Sequence, residues 1–582
     1  MYTGVMTHRV LAGILCCFLC CSLPAQTSDA LVLNPGLQEL AARFFEWRRL
    51  QQPISGDDIP RVERPVGWLP AFSPEDLAIY RTRYRAFLDQ LSALDRSGFS
   101  RADEVDALLL AAAIQRVGWE LDVLRTPHRN PLFYLDQTLG SVFELLVLAP
   151  PLTPARVDEV TLRLRHFPNV LASAEVNLTE PVRPFAIAAV DVLLDIEGTL
   201  VEVQTGLEPL AAPEQQAALA AAMATATQAL ANYRSWLQRN IASMDTAFSI
   251  GPRAYQWFLV NVALIPSTPD ELLLQGRQAW NRAVAWDVLE QHRNQDLPPL
   301  PVFASAQAQM ETSSRNEQEI RAFLRSQDLM TVPDWLMHYR NLPLPPYLKP
   351  LAFMGVTDDL TSETRLDQDA VSYIPEPSED LPFFARASAT DPRPLIAHEG
   401  VPGHYFQLAM SWANPDPIRR RYIDSSANEG IGFYVEEMLL QAGLFSFSPR
   451  SREIIYGFMR LRALRVEVDI RLATGEFTLE EAAGYLARTV PMDPATASGE
   501  ATFFASNPGQ AISYQVGKLQ IERFLADAKL GRGDSFSLRD FHDSLMRNGN
   551  VPIALQRWEY LDRDDEILRL RALDTQAATV PD

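Results

Sequence analysis

Apolar positions recur at helical intervals along most of the chain. Leu37, Leu40, Ala41, Phe44 and Phe45 fall on one face of a 3.6-residue repeat. Comparable spacing continues to about Asn294, so this half reads as successive amphipathic helices that form a scaffold. The stretch from Glu214 to Ile241 is rich in Ala, Gln and Leu and favours one long helix, with Pro213 as its capping proline. Two proline-rich passages break the pattern, Leu297 to Pro301 and Leu342 to Pro350, and the second is dense enough to exclude regular structure. They mark a hinge or lobe boundary. Between Leu351 and Pro394 the pattern is mixed, with a short extended candidate at Ala370 to Ile374. Helical periodicity returns after Leu395 and persists almost to the end. The expected organisation is mainly α with minor β elements: a leader at 1–25, an N-terminal helical lobe at 26–296, a Pro-rich connection at 297–350 and a C-terminal lobe at 351–582 that carries the candidate chemistry.

Composition narrows the function classes. With 47% hydrophobic and 21% charged residues, the 582-residue chain has the balance of a soluble globular protein with ample core. Its formal charge is −21, and no Lys/Arg block tracks a phosphate backbone, so no nucleic-acid partner is expected. The first 25 residues carry His8 and Arg9, an apolar run from Val10 to Leu23 and a small residue at Ala25, the order of a secretory signal. The mature chain is expected to start near Gln26, to be periplasmic or secreted, and to have no membrane span. All four cysteines, Cys16, Cys17, Cys20 and Cys21, lie in that leader, which excludes a disulfide framework and a cysteine nucleophile in the mature chain. A lipoprotein anchored at Cys20 or Cys21 is the alternative, disfavoured because Phe18 and Leu19 stand where a small residue usually precedes a lipidated cysteine.

The chemistry concentrates in His398-Glu399-Gly400-Val401-Pro402-Gly403-His404. Two imidazoles flanking a carboxylate are the parts of a hydrolytic metal centre, with histidines as ligands and the Glu as acceptor of a water proton. The histidines are six apart, about 240° out of phase on a helix, so an unbroken helix cannot aim both at one ion. The sequence supplies the break: Pro402 disfavours helical angles at Val401, and Gly400 and Gly403 permit unusual ones. The same residues could instead form an ordinary helix end. Downstream, Glu429 and Glu436 are seven apart on a helical segment, about 20° from alignment, so both can face one interior. Either could be a metal ligand, or both could be solvated or paired with Arg. Gly430 and Gly432 are odd choices for a plain surface helix, since each costs about 1 kcal/mol relative to Ala.

These segments resemble the bacterial family catalogued as domain of unknown function 885, regarded as zincin-like and metal-dependent hydrolases. His398, Glu399, Pro402, Gly403 and His404 match its His-Glu-x-x-Pro-Gly-His pattern, with Gln407 following. Glu429, Gly430, Tyr434 and Glu436 match a second, although Ile431 and Gly432 stand where Trp and Ala are usual. Pro508, Gly509, Gln510, Ala511, Tyr514 and Gly517 match a third, and Phe541, His542, Asp543, Gly549 and Pro552 fit the closing segment. The resemblance implies a two-lobed zincin-like architecture with a deep cleft, zinc held by His398, His404 and Glu429, and Glu399 as general base. Two positions depart from the pattern: Ala473 replaces a His that follows the Arg465-to-Asp469 step, and Phe503-Phe504 replaces Arg-Tyr after Glu500. Both bear on substrate contacts.

The expected reaction is metal-assisted hydrolysis of a peptide or small amide. Tyr514 is the candidate hydrogen-bond donor to the oxyanion, unless it is simply a buried structural tyrosine. Arg465 is the candidate anchor for a substrate carboxylate, or a structural partner of Asp469. His542 next to Asp543 suggests an oriented imidazole, or a structural residue near the turn at Asn548-Gly549-Asn550. No Gly-x-Ser-x-Gly elbow, P-loop or dinucleotide fingerprint is present. The competing readings are a catalytically silent or binding protein on the same scaffold and a metal hydrolase of non-peptide esters or amides. Oligomeric state has no signal in the sequence.

Overall fold

Side-chain caps written in the sequence set the helix starts. In the computed structural model, which describes residues 33–55, 61–490 and 492–577, Asn34 accepts from the Leu37 backbone N–H and opens helix Pro35–Gln51. Ser73, Ser100, Thr268 and Thr478 each form a reciprocal capping box with an acidic residue three positions on. The long Ala-rich helix runs Pro213–Asn240 with its proline in the first turn, where a missing N–H costs nothing. The leader and both lipidation candidates lie outside the described residues.

The chain is mainly α, with a single three-stranded sheet among the described residues. Leu37, Leu40, Ala41 and Phe44 are buried in the largest hydrophobic cluster, which Phe45 flanks. A second cluster gathers Ile396, Ala397, Tyr405, Phe406, Ile431 and Val435 around the segment that carries the candidate chemistry. The described residues from Asn34 onward pack as one unit. No helix among the described residues is long and apolar enough to cross a membrane.

The sheet is built from β1 (Tyr339–Pro343), β2 (Asp358–Asp359) and β3 (Ala370–Ile374) in the order β1-β3-β2, with β1 parallel and β2 antiparallel to the central strand. The extended candidate Ala370 to Ile374 is therefore the central strand. The expectation that Leu342 to Pro350 holds no regular structure is corrected: Leu342 and Pro343 end β1, and a 3-10 helix starts at Lys349. Because β1 is an edge strand, Pro343 needs no second ladder partner, and Pro350 sits in the first turn of its helix, where its missing N–H is harmless. The sheet matters to the site because Tyr339, at the start of β1, packs against Gly400; a Cβ there would lie 2.8 Å from the Tyr339 ring.

Candidate metal centre

The break between the two histidines falls where Pro402 and its flanking glycines predict it. A short π-helical turn, Ile396–Gly400, ends as Val401 becomes extended, and a new helix, His404–Trp412, starts at the second histidine. Gly403 lies so close to the preceding turn that a Cβ would fall 1.8 Å from the His398 carbonyl oxygen, so only glycine fits. The turn brings the imidazole centroids of His398 and His404 to 4.6 Å, nearly perpendicular.

Helix Ser425–Ala442 brings the carboxylates. Glu429 Oε2 lies 3.4 Å from His398 Nε2 and 3.2 Å from His404 Nε2. One ligand atom from each of these three buried residues lies within 4.8 Å of the others. Glu436 reaches the opposite edge of the first imidazole, its Oε1 2.7 Å from His398 Nδ1. The seven-residue spacing therefore places both acids beside His398 but on different nitrogens, so Glu429 is the one that shares a centre with His404. Glu436 also pairs with the buried Arg462, 2.7 Å away, whose guanidinium lies over the rings of Phe433, Phe458 and Tyr514. Sequence reasoning missed Arg462, which no motif or spacing distinguishes from the other arginines of helix Pro449–Thr474.

The two glycines of this helix make close approaches. A Cβ on Gly430 would fall 2.6 Å from Gly517 Cα, where the helix crosses helix Ser513–Arg532. One on Gly432 would meet His398 Cε1 at 2.8 Å and His404 Cε1 at 3.0 Å. Gly517 and Gly430 let Tyr514 and Glu429 converge, and Gly432 gives the imidazoles their room.

Electrostatics sort the acids. Burial pushes the Glu399 carboxyl up to about 8, Asp358 and Glu429 push it the same way, and His404 opposes them. Against the upward push of burial, the His404 and His398 imidazoles hold Glu429 well below the usual carboxylate range. Burial and Arg462 press His398 down, but Glu429 and Glu436 outweigh them and raise it. Glu399 is half-buried, and its Oε2 has no hydrogen-bond partner; nor have the buried Glu429 Oε2 and His404 Nδ1.

The residues fit a divalent metal. A buried carboxylate oxygen without a donor, aimed between two imidazole nitrogens, is costly unless a cation shares it. Two histidines and one carboxylate match a catalytic zinc set, and Glu436 Oε1, 2.7 Å from the far nitrogen of His398, stands where the outer partner of a ligating imidazole usually does, beside Arg462 Nη2 at 3.3 Å from the same nitrogen.

The remaining candidates are placed as follows. The half-buried Tyr514 ring stacks on His398, with centroids 6.2 Å apart at 12°. The Arg465 guanidinium lies over that same tyrosine ring, 4.7 Å from its centroid, but it is taken by Glu500. Asp469 is not its partner. That carboxylate accepts from Tyr255 and from the backbone N–H groups of Gly509, Ala511 and Ile512, and so seats the Pro508-to-Ala511 loop. Ala473, in the position of the missing His, is buried among apolar residues. His542 is structural: its Nδ1 bonds the Leu329 carbonyl, leaving Nε2 to accept from Tyr434, while Asp543 holds Thr331 instead. Gln407 ties Asn428 to Gly549 and Asn550. A cavity of about 690 Å³ opens at the start of helix Ser425–Ala442, and Ser425, Ser426, Phe503 and Gln510 form part of its wall.

Two solved structures have similar folds. One, described as "a putative lipoprotein of unknown function" from Shewanella oneidensis, aligns over 90% of this chain and 97% of its own with 16% identity and a TM-score of 0.67. The other, described as "the putative lipoprotein" from Colwellia psychrerythraea, aligns over 91% of this chain and 100% of its own with 16% identity and a TM-score of 0.69. No curated protein matches the chain. The profile of a bacterial protein family of unknown function, DUF885, matches residues 62–332 and 370–558, which include His398, Glu399, His404, Glu429, Glu436, Arg462 and Tyr514 but not Tyr339 or Asp358. The chain belongs to the DUF885 family of bacterial proteins.

Proposed function

We propose that the chain is an exported, zinc-dependent hydrolase of peptide or related amide bonds on a zincin-like scaffold. The observation that carries this reading is the convergence of His398, His404 and Glu429 beside a half-buried glutamate that has a free oxygen. Zinc bound by those three residues would supply Lewis acidity at an open coordination position. Glu399 accepts the proton of the attacking water and delivers it to the leaving amine. Its raised pKa suits both halves of that task, because a carboxyl that ionises near neutrality can hold the proton between the two transfers. Tyr514, fixed by stacking on His398, donates a hydrogen bond to the oxygen that gains charge. Glu436 and Arg462 hold the His398 ring in place.

Export is supported by the leader-like order of residues 8 to 25 and by the lipoprotein descriptions of the two structural relatives. Intact mass of the exported protein distinguishes cleavage near Gln26 from lipidation at Cys20 or Cys21; a chain retaining residues 1–25 contradicts export. The activity is tested by digesting an unbiased peptide library with zinc-loaded protein, with and without chelator. Chelator-sensitive cleavage is expected. No cleavage by the fully metallated protein would favour a silent or binding role, and cleavage confined to ester or non-peptide amide probes would move the substrate class.

A further inference from the structure

The wall of the cavity at the start of helix Ser425–Ala442 contains a cation that no acid among the described residues engages by a hydrogen bond or ion pair. Arg116, on helix Arg101–Gly118, is half-buried in the cavity wall, and among the described residues no hydrogen bond or ion pair reaches its guanidinium. The other lining cations are engaged: Arg48 lies 2.6 Å from Glu120, and Arg421 lies 3.7 Å from Glu363. Asp136, a lining acid, has contacts of its own, and none of Asp424, Glu120 and Asp191 makes a hydrogen bond or ion pair to Arg116. Asp424, which Arg116 influences, caps its helix by accepting the Ala427 N–H. Glu120 is taken by Arg48, and Asp191 is exposed to water. A partly desolvated guanidinium whose N–H groups have no directly bonded anion is costly, and its planar fork fits a carboxylate.

None of His398, Glu399, His404, Glu429 or Tyr514 lines this cavity, but its wall is shared with the segments that carry Glu429 and Tyr514. Ser425 and Ser426 line the cavity and stand four and three positions before Glu429, hence on its side of the helix. Gln510 lines it four positions before Tyr514. Arg116 acts electrostatically on Asp424, which precedes Glu429 by an axial rise of about 7.5 Å, roughly the span of two extended residues. Phe44, Phe72, Trp119, Phe258 and Phe503 make much of the intervening wall apolar.

We propose that Arg116 binds the C-terminal carboxylate of a peptide, which makes the substrate class short peptides, or peptide ends, with apolar side chains near a free C-terminus. This rests on the hydrolase reading above, but its test does not. The probe is a pool of randomised N-acetyl hexapeptides made with either a free carboxylate or a carboxamide end, and binding to zinc-loaded Glu399→Gln protein is measured by equilibrium dialysis. Acid-ended peptides should bind about 10- to 100-fold tighter than their amides, the range for a charge-assisted pair. Arg116→Gln should abolish that preference without altering amide binding, zinc content or melting temperature, and Arg116→Lys should restore part of it. Equal binding of acids and amides would overturn the proposal. So would a preference that survives Arg116→Gln, or, if Arg116→Gln unfolds, one that Arg116→Lys leaves undiminished. An Arg116-dependent preference in a protein that hydrolyses no peptide would leave the anchor standing and remove the hydrolase reading.

Discussion

Replacing Glu436 with Ala separates the two acids that the sequence leaves equivalent. Its side chain is fully buried, with one oxygen 2.7 Å from both His398 Nδ1 and Arg462 Nη1. Its removal leaves the Arg462 guanidinium, itself 4% exposed, without a counter-ion. Breaking one side of such a buried pair costs about 3–5 kcal/mol. The Phe433, Phe458 and Tyr514 faces, 5.1 to 5.5 Å from the guanidinium, remain and offset part of that. At the size of this chain the loss corresponds to a fall in melting temperature of roughly 3 °C. A second effect falls on His398, which loses the group that orients its ring, so zinc affinity should drop by about 10- to 100-fold while stoichiometry at saturating zinc stays at one per chain. Scanning calorimetry and competition titration with a zinc indicator measure the two effects. A double variant, Glu436→Gln with Arg462→Met, should recover most of the stability but not the affinity, since it removes the unpaired charge without restoring the carboxylate beside Nδ1. Unchanged zinc affinity in Glu436→Ala would refute the positioning role, and loss of stoichiometric zinc there but not in Glu429→Ala would exchange the two acids.

Gly432→Ala should weaken zinc binding with little change in overall fold, because its Cβ would lie 2.8 Å from His398 Cε1 and must displace an imidazole; parent-like affinity by the same titration would contradict that packing. Stability should also depend on pH through Asp106, away from the centre. Burial pushes this carboxyl up to about 8, and Asp416 nearby adds to the effect while Arg419 opposes it. The folded state then holds a proton that the unfolded chain releases near pH 4, so stability from this group is fully present below about pH 4 and is lost as pH rises toward 8. The melting temperature should fall over that interval, and by less in Asp106→Asn; identical slopes in the two proteins would show that Asp106 titrates normally.

Helix content, caps and the strand at Ala370 to Ile374 are legible because local chemistry determines them: Asn34, Ser73, Thr268 and the strand-favouring Val371, Tyr373 and Ile374 act on their own neighbourhoods. Edge position is not local, which is why the prolines after Leu342 mislead; Pro343 is tolerated by its place in the sheet order. The break between His398 and His404 can be read from Pro402 and its glycines, and the shared face of Glu429 and Glu436 from their spacing. Which acid meets which imidazole nitrogen depends on how helix Ser425–Ala442 crosses its neighbours at Gly430, Gly432 and Gly517. Pairings between distant segments leave no trace in spacing, as with Arg462 and Glu436, Arg465 and Glu500, or Asp469 and the loop it seats.

The central claim is that Glu399 moves protons beside a metal that it does not hold. The direct measurement is the turnover of zinc-loaded Glu399→Gln on the peptide that the parent cleaves fastest, with zinc content and melting temperature recorded on the same samples. The amide nearly matches the acid in size but cannot accept the proton, so turnover should fall by about two to four orders of magnitude with zinc and stability retained. Parent-like turnover in fully metallated Glu399→Gln would contradict the account.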